Sequence, residues 1–126
     1  MRVLAGLPLM LVLAACVAHA QTNDLAPVVG LDGAWVVDLS TSQSEPYIKP
    51  MQLTLNDDGT VEGSFYESDI EAGRWRTARG RTCVSFHTTD GVGPYHTAAC
   101  LVGDHVEGQT WAEHRNFLFN WNATRN

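Results

Sequence analysis

Four residues able to bind metal or exchange electrons sit together in CVSFHTTDGVGPYHTAAC, residues 83–100: Cys83, His87, His96 and Cys100. They could surround a zinc ion, or they could lie on a hairpin stapled by a disulfide. If 81–88 and 95–102 are antiparallel strands with Cys83 opposite Cys100, then His87 falls opposite His96. Both pairs share one face, because side chains alternate with a period of two. At ~3.3 Å per residue the pairs stand about 13 Å apart. Bonds to zinc are only ~2.0–2.3 Å long, so these four side chains cannot share one ion. The spacing therefore predicts a cross-strand disulfide between Cys83 and Cys100 and no metal site. His87 and His96 have no third ligand in view and read as solvated residues near the open end of the hairpin.

Other reactive patterns are missing from the chain. Ser, His and Asp occur, but without the strand–turn–helix setting of a nucleophile elbow. There is no phosphate-binding loop and no helix with paired metal ligands. Asp38, Glu62 and Glu107 fall on outward strand positions, where little burial would raise a carboxyl pKa. No catalytic residue and no cofactor are expected. Arg74, Arg76, Arg79 and Arg81 cluster in one hairpin and read as a solvated edge, with contact to anionic headgroups as the competing reading.

The N-terminus implies export. Arg2 precedes an apolar run over residues 3–15, too short for the ~20 residues of a membrane-spanning helix. Ala18-His19-Ala20 fits a signal-peptidase site and would release a chain beginning at Gln21. Leu13-Ala14-Ala15-Cys16 resembles a lipobox, which would remove residues 1–15 and place a lipid on Cys16. Both remain open. Residues 21–31 then form a tether and 32–126 a single domain. The expected location is the bacterial periplasm, the outer membrane as a lipoprotein, or the medium. An oxidising compartment favours the disulfide. Without Arg2, seven of the 8 Lys and Arg residues face 14 Asp and Glu. Such a balance argues against nucleic acid, where phosphate neutralisation supplies most of the affinity. Contact with a membrane is expected only through a lipid anchor.

These residues must be positioned by strands, since no segment has a helical period. Asn56-Asp57-Asp58-Gly59-Thr60 fits a three-residue hairpin loop with Gly59 left-handed, which sets Leu55 against Val61, Leu53 against Gly63 and Met51 against Phe65. Gly103-Asp104 makes a two-residue turn that sets Leu101 against Val106, Ala99 against Gly108 and Thr97 against Thr110. A turn at Arg115-Asn116 would set Ala112 against Phe119, Thr110 against Trp121 and Gly108 against Ala123. The expected strands are 33–39, 50–56, 60–67, 70–78, 81–88, 95–102, 105–113 and 117–124. Short connections make neighbours in sequence neighbours in the sheet. The fold predicted is all-β: one antiparallel, up-and-down, eight-stranded barrel with one cross-strand disulfide, a pair of stacked sheets being the alternative. Gly73 and Trp75 should point inward, and Trp111 outward into a face of polar residues.

Leu31-Asp32-Gly33-Ala34-Trp35 resembles the Gly-x-Trp opening of the lipocalins and their calycin relatives. That resemblance implies a Trp packed at the closed end of a calycin-type barrel under a late-strand Arg, a role for Arg125 or Arg115. LDGAWVVDL and DGTVEGSFYES are similar in pattern to the first and third strands of avidin-like proteins. In those proteins an Asn for the biotin ureido group stands two residues beyond the Trp. This chain has Val37 there, so biotin is not expected.

The inward set suggests a barrel interior that takes a small apolar or aromatic ligand. Its candidate residues are Trp35, Phe65, Trp75, Phe86, Tyr95, Phe119 and Trp121, with Thr97 and Thr110 as polar anchors and Phe117 alongside. Residues 40–49 form the one long loop near a strand mouth and could cover it. Eight-stranded barrels can also be filled by their own side chains, which would make the aromatics core. The alternatives to ligand binding are a protein-interaction module, such as an inhibitor of a basic enzyme presenting loop 90–95, and a purely structural lipoprotein.

Overall fold

A computed structural model describes residues 30–126. The leader, Cys16 and residues 21–29 of the expected tether lie outside the described residues. The strands are β1 (Gly33–Asp38), β2 (Ile48–Leu55), β3 (Thr60–Phe65), β4 (Ser68–Asp69), β5 (Glu71–Ala78), β6 (Arg81–Thr89), β7 (Pro94–Val102), β8 (His105–Ala112) and β9 (Phe117–Arg125), with a 3-10 turn at Glu113–Arg115. Pairing is antiparallel throughout, and β1 pairs with both β2 and β9, which closes the sheet. The short β4 and the longer β5 are one course broken at Ile70, so the closed antiparallel barrel has eight staves.

The turns explain the register. Gly59 adopts φ 88°, and the Asp58 carboxylate accepts hydrogen bonds from the Thr60 backbone N–H (2.9 Å) and hydroxyl (2.6 Å). This sets Leu55 against Val61 and Met51 against Phe65, as the sequence predicts. Cys83 faces Cys100 and His87 faces His96, and the two sulfurs are bonded at 2.02 Å. Thr97 faces Thr110 and Leu101 faces Val106.

Two expectations about strands need correction. The β8–β9 register differs by two residues: Ala112 faces Phe117, Thr110 faces Phe119 and Gly108 faces Trp121. Glu113–Arg115 forms a full 3-10 turn ended by Asn116 at φ 49°, which uses more chain than a two-residue turn. An even shift keeps every side chain on its expected face. The second correction concerns 60–78. Tyr66 and Glu67 both adopt left-handed φ, 53° and 63°, so β3 turns back at once into β4 instead of running to residue 67. Ala72 at φ 52° then shifts the β5–β6 register between Glu71 and Arg74. The bulge brings β5 against β3, and a Cβ on Gly73 would lie 2.4 Å from the Val61 carbonyl oxygen.

The interior is one apolar cluster that includes Trp35, Val37, Met51, Leu53, Phe86 and Trp121. Small residues make room for large ones. A Cβ on Gly108 would lie 2.3 Å from the Trp121 ring. One end of the barrel is sealed. The Trp35 indole donates to the Leu31 carbonyl (2.8 Å), and the Arg125 guanidinium stands 4.3 Å from the centre of the Trp35 ring. Arg125 also donates to the carbonyls of Asp32 (2.8 Å) and Gly30. Trp75, half-buried, donates to the Asn56 carbonyl at 2.7 Å. On the outer face Trp111 stacks on His96 with ring centres 5.6 Å apart, and His87 lies 2.9 Å from the Glu71 carboxylate. His96 is exposed and His87 half-buried, so the pair lies on the surface as expected, each beside a neighbouring side chain.

Candidate functional site

The other end of the barrel is open. A cavity of about 550 Å³ lies there, walled by Leu39, Phe65, Tyr95, Phe117 and Phe119. The β strands place these side chains by simple alternation: Tyr95 lies opposite Thr88, and Thr110 opposite both Thr97 and Phe119. Phe65 divides cavity from core. It lines the cavity and also packs on Trp121 (5.4 Å between ring centres) and Phe86 (6.1 Å). Phe117 stacks on Phe119 at 5.9 Å.

Five of the ten residues singled out from the sequence line this space: Phe65, Tyr95, Thr110, Phe117 and Phe119. Phe86, Thr97 and Trp121 are buried in the core outside its lining. Trp35 belongs to the sealed end, and Trp75 is hydrogen-bonded to the hairpin loop at 56. The hydroxyls of Thr97 and Thr110 bond each other at 2.9 Å, and the Trp121 indole donates to Thr110, also at 2.9 Å. A hydroxyl offers one donor and two acceptor sites, so Thr110 has little capacity left for a ligand.

A charged cluster unforeseen in the sequence sits at the mouth. The tip of loop 90–95 is exposed at Val92, but Asp90 at its base turns back across the barrel. One carboxylate oxygen accepts from the Val92 and Gly93 backbone N–H groups (2.8 and 3.0 Å). The other receives His114 Nε2 (3.1 Å), Arg115 Nε and Nη2 (2.9 Å each) and the Tyr95 hydroxyl (3.2 Å). The His114 hydrogen bond, aided by the loop N–H groups and Arg115, holds the Asp90 carboxyl well below the usual carboxylate range. The hydrogen bond and charge of Asp90 in turn push Arg115 above its ordinary value. Gly93 lies flat on His114, where a Cβ would come within 2.7 Å of the ring. Asp90 and Arg115 lie 25 residues apart, so no local pattern could have paired them.

The long loop after β1 reaches the same mouth through Thr41 and Tyr47. It is pinned at its base: the Leu39 N–H donates to the Tyr47 carbonyl, and the Tyr47 N–H to the Ser40 hydroxyl, both at 2.8 Å. The Tyr47 and Tyr66 hydroxyls are hydrogen-bonded to each other. Lys49 places its ammonium 5.0 Å from the Tyr66 ring and 3.5 Å from Glu67.

Apolar walls with a few fixed polar groups are the usual form of a small-molecule site. Among the described residues no three His, Cys, Asp or Glu side chains are grouped to hold a metal ion. Set against known protein families, curated proteins and solved structures, the chain matches none of them.

Proposed function

We propose that this chain is a calycin-like, exported binding protein that holds one small, largely apolar ligand in the open end of its barrel. The observation that carries this reading is the 550 Å³ cavity, walled by aromatic rings, in a barrel whose opposite end is sealed by Trp35 and Arg125. A barrel filled by its own side chains would be closed by core at both ends. The Trp35–Arg125 contact is what the calycin resemblance implies for the closed end. Val37, fully buried in the core, stands where avidin-like proteins place a biotin-binding Asn, so the ligand is of another kind. The leader would deliver the protein beyond the inner membrane, either free from Gln21 or anchored through Cys16. Mass spectrometry of the mature N-terminus distinguishes these.

The direct test is a fluorescence titration with N-phenyl-1-naphthylamine, which brightens in apolar surroundings. Saturable binding at one site per chain is expected, unchanged in Trp111→Ala because Trp111 sits on the outer face. Lack of saturable binding by this probe and by a panel of comparable aromatic compounds would overturn the proposal.

A further inference from the structure

The cavity lining includes a polar side chain that no other described residue partners. Thr88 is only 5% exposed, lines the cavity, and makes no hydrogen bond through its side chain to any described residue. The other buried threonines, Thr97 and Thr110, satisfy each other. Among the described residues, no side-chain nitrogen or oxygen sealed from probe access lacks a partner, so the Thr88 hydroxyl opens onto the cavity space. Water can meet that hydroxyl in the open cavity; an apolar ligand that displaced the water would leave it unpaired at a cost of ~1–3 kcal/mol, whereas a ligand oxygen would take the water's place.

The mouth restricts the charge of such a ligand. Asp90 already accepts from His114, Arg115, Tyr95 and two backbone N–H groups. Arg115 spends two of its nitrogens on that same carboxylate. Their charges compensate, so an anionic ligand would meet Asp90 beside Arg115 and a cationic one would meet Arg115 beside Asp90. Neither sign gains.

Resting on the cavity reading above, we propose that the ligand is a neutral, ring-sized apolar compound bearing one hydroxyl or carbonyl oxygen, and that Thr88 recognises that oxygen. A threonine hydroxyl both donates and accepts, so it matches either group. Thr88 thus selects among compounds that the aromatic walls alone would rank by apolar area.

Three probes of one shape test this: 2-naphthol, naphthalene and 2-naphthoate, titrated against wild type, Thr88→Val and Thr88→Ser. Wild type should bind 2-naphthol about tenfold more tightly than naphthalene, the scale of one buried hydrogen bond, and 2-naphthoate weakly. Thr88→Val keeps the shape of the side chain and should lose the preference while still binding naphthalene; Thr88→Ser should retain it. If naphthalene and 2-naphthol bind with the same ratio in wild type and Thr88→Val, the role of Thr88 is wrong and the cavity reading stands. If 2-naphthoate binds as tightly as 2-naphthol, the neutral-ligand assignment is wrong. If none of the three binds, the cavity reading falls, and the assignment of Thr88 with it.

Discussion

Asp90 shows how one side chain ties the mouth of the barrel to pH. Its carboxyl is held well below the usual range in the folded chain, first by the His114 hydrogen bond. In the unfolded chain it returns to an ordinary carboxylate value, ~3.9. A depressed folded pKa contributes stability that is complete above the unfolded value and is lost as the pH falls toward the folded one. The share of the thermal midpoint that Asp90 supports should therefore be constant above about pH 5 and decline below about pH 4. Asp90→Asn should lower the midpoint at neutral pH and flatten part of the acid decline, as followed by circular dichroism melts. The flattening is partial because Asp38, through Ser40, and Asp58, through Thr60, shift in the same direction. Gly108 supports a second expectation at this scale. Gly108→Ala would drive a methyl group to within 2.3 Å of the Trp121 ring. Overpacking of this kind costs ~1–3 kcal/mol, measurable by urea unfolding.

At the scale of strands and turns, the hairpin of β6 and β7 is held by a bond between residues 17 apart. Replacing both Cys83 and Cys100 with Ser should cost about 3 kcal/mol, since loops of this size lose roughly that much unfolded-state entropy when closed. Reduction of the native protein should lower its stability by a similar amount. This hairpin was legible in the sequence because four marked residues had to agree on one register, and turns that contain Gly59 or Gly103 were legible because left-handed φ favours glycine. The β3–β4 turn was not, because Tyr66 and Glu67 adopt that conformation without glycine. The β8–β9 turn was misplaced by two residues, and the error was silent: an even slip preserves the pattern of inward and outward side chains. The candidate site was half legible for the same reason. Alternation says which side chains point inward, and so identified Phe65, Tyr95, Thr110, Phe117 and Phe119. It does not say how deep they lie, so Trp35 and Trp121 looked equivalent to them. Thr88, two residues beyond Phe86 on the same face, was within reach of that pattern but carried no aromatic ring to draw notice.

At the scale of the whole molecule the barrel divides its labour between two ends. The sealed end gathers Leu31, Trp35 and Arg125 around backbone carbonyls, and it is there that first and last strands meet. The open end gathers the cavity, the Asp90 cluster and the Tyr47–Tyr66 hydroxyl pair. Core between them, where Phe65 packs on both Phe86 and Trp121, separates the two. Substitutions at the two ends should therefore separate stability from binding, because sites without shared partners behave additively. Arg125→Ala removes a cation held over Trp35 and its hydrogen bonds to the chain entry. It should cost about 1–3 kcal/mol of folding stability and leave the affinity for 2-naphthol unchanged. Tyr66→Phe deletes one hydroxyl of the pair that ties the long loop to the β3–β4 turn. That pair is exposed, so the thermal midpoint should move little, but a loosened mouth should release ligand faster. Stopped-flow dissociation of 2-naphthol alongside urea unfolding reads both quantities on the same proteins. A loss of affinity in Arg125→Ala matching its loss of stability would mean that the two ends are mechanically coupled through the core.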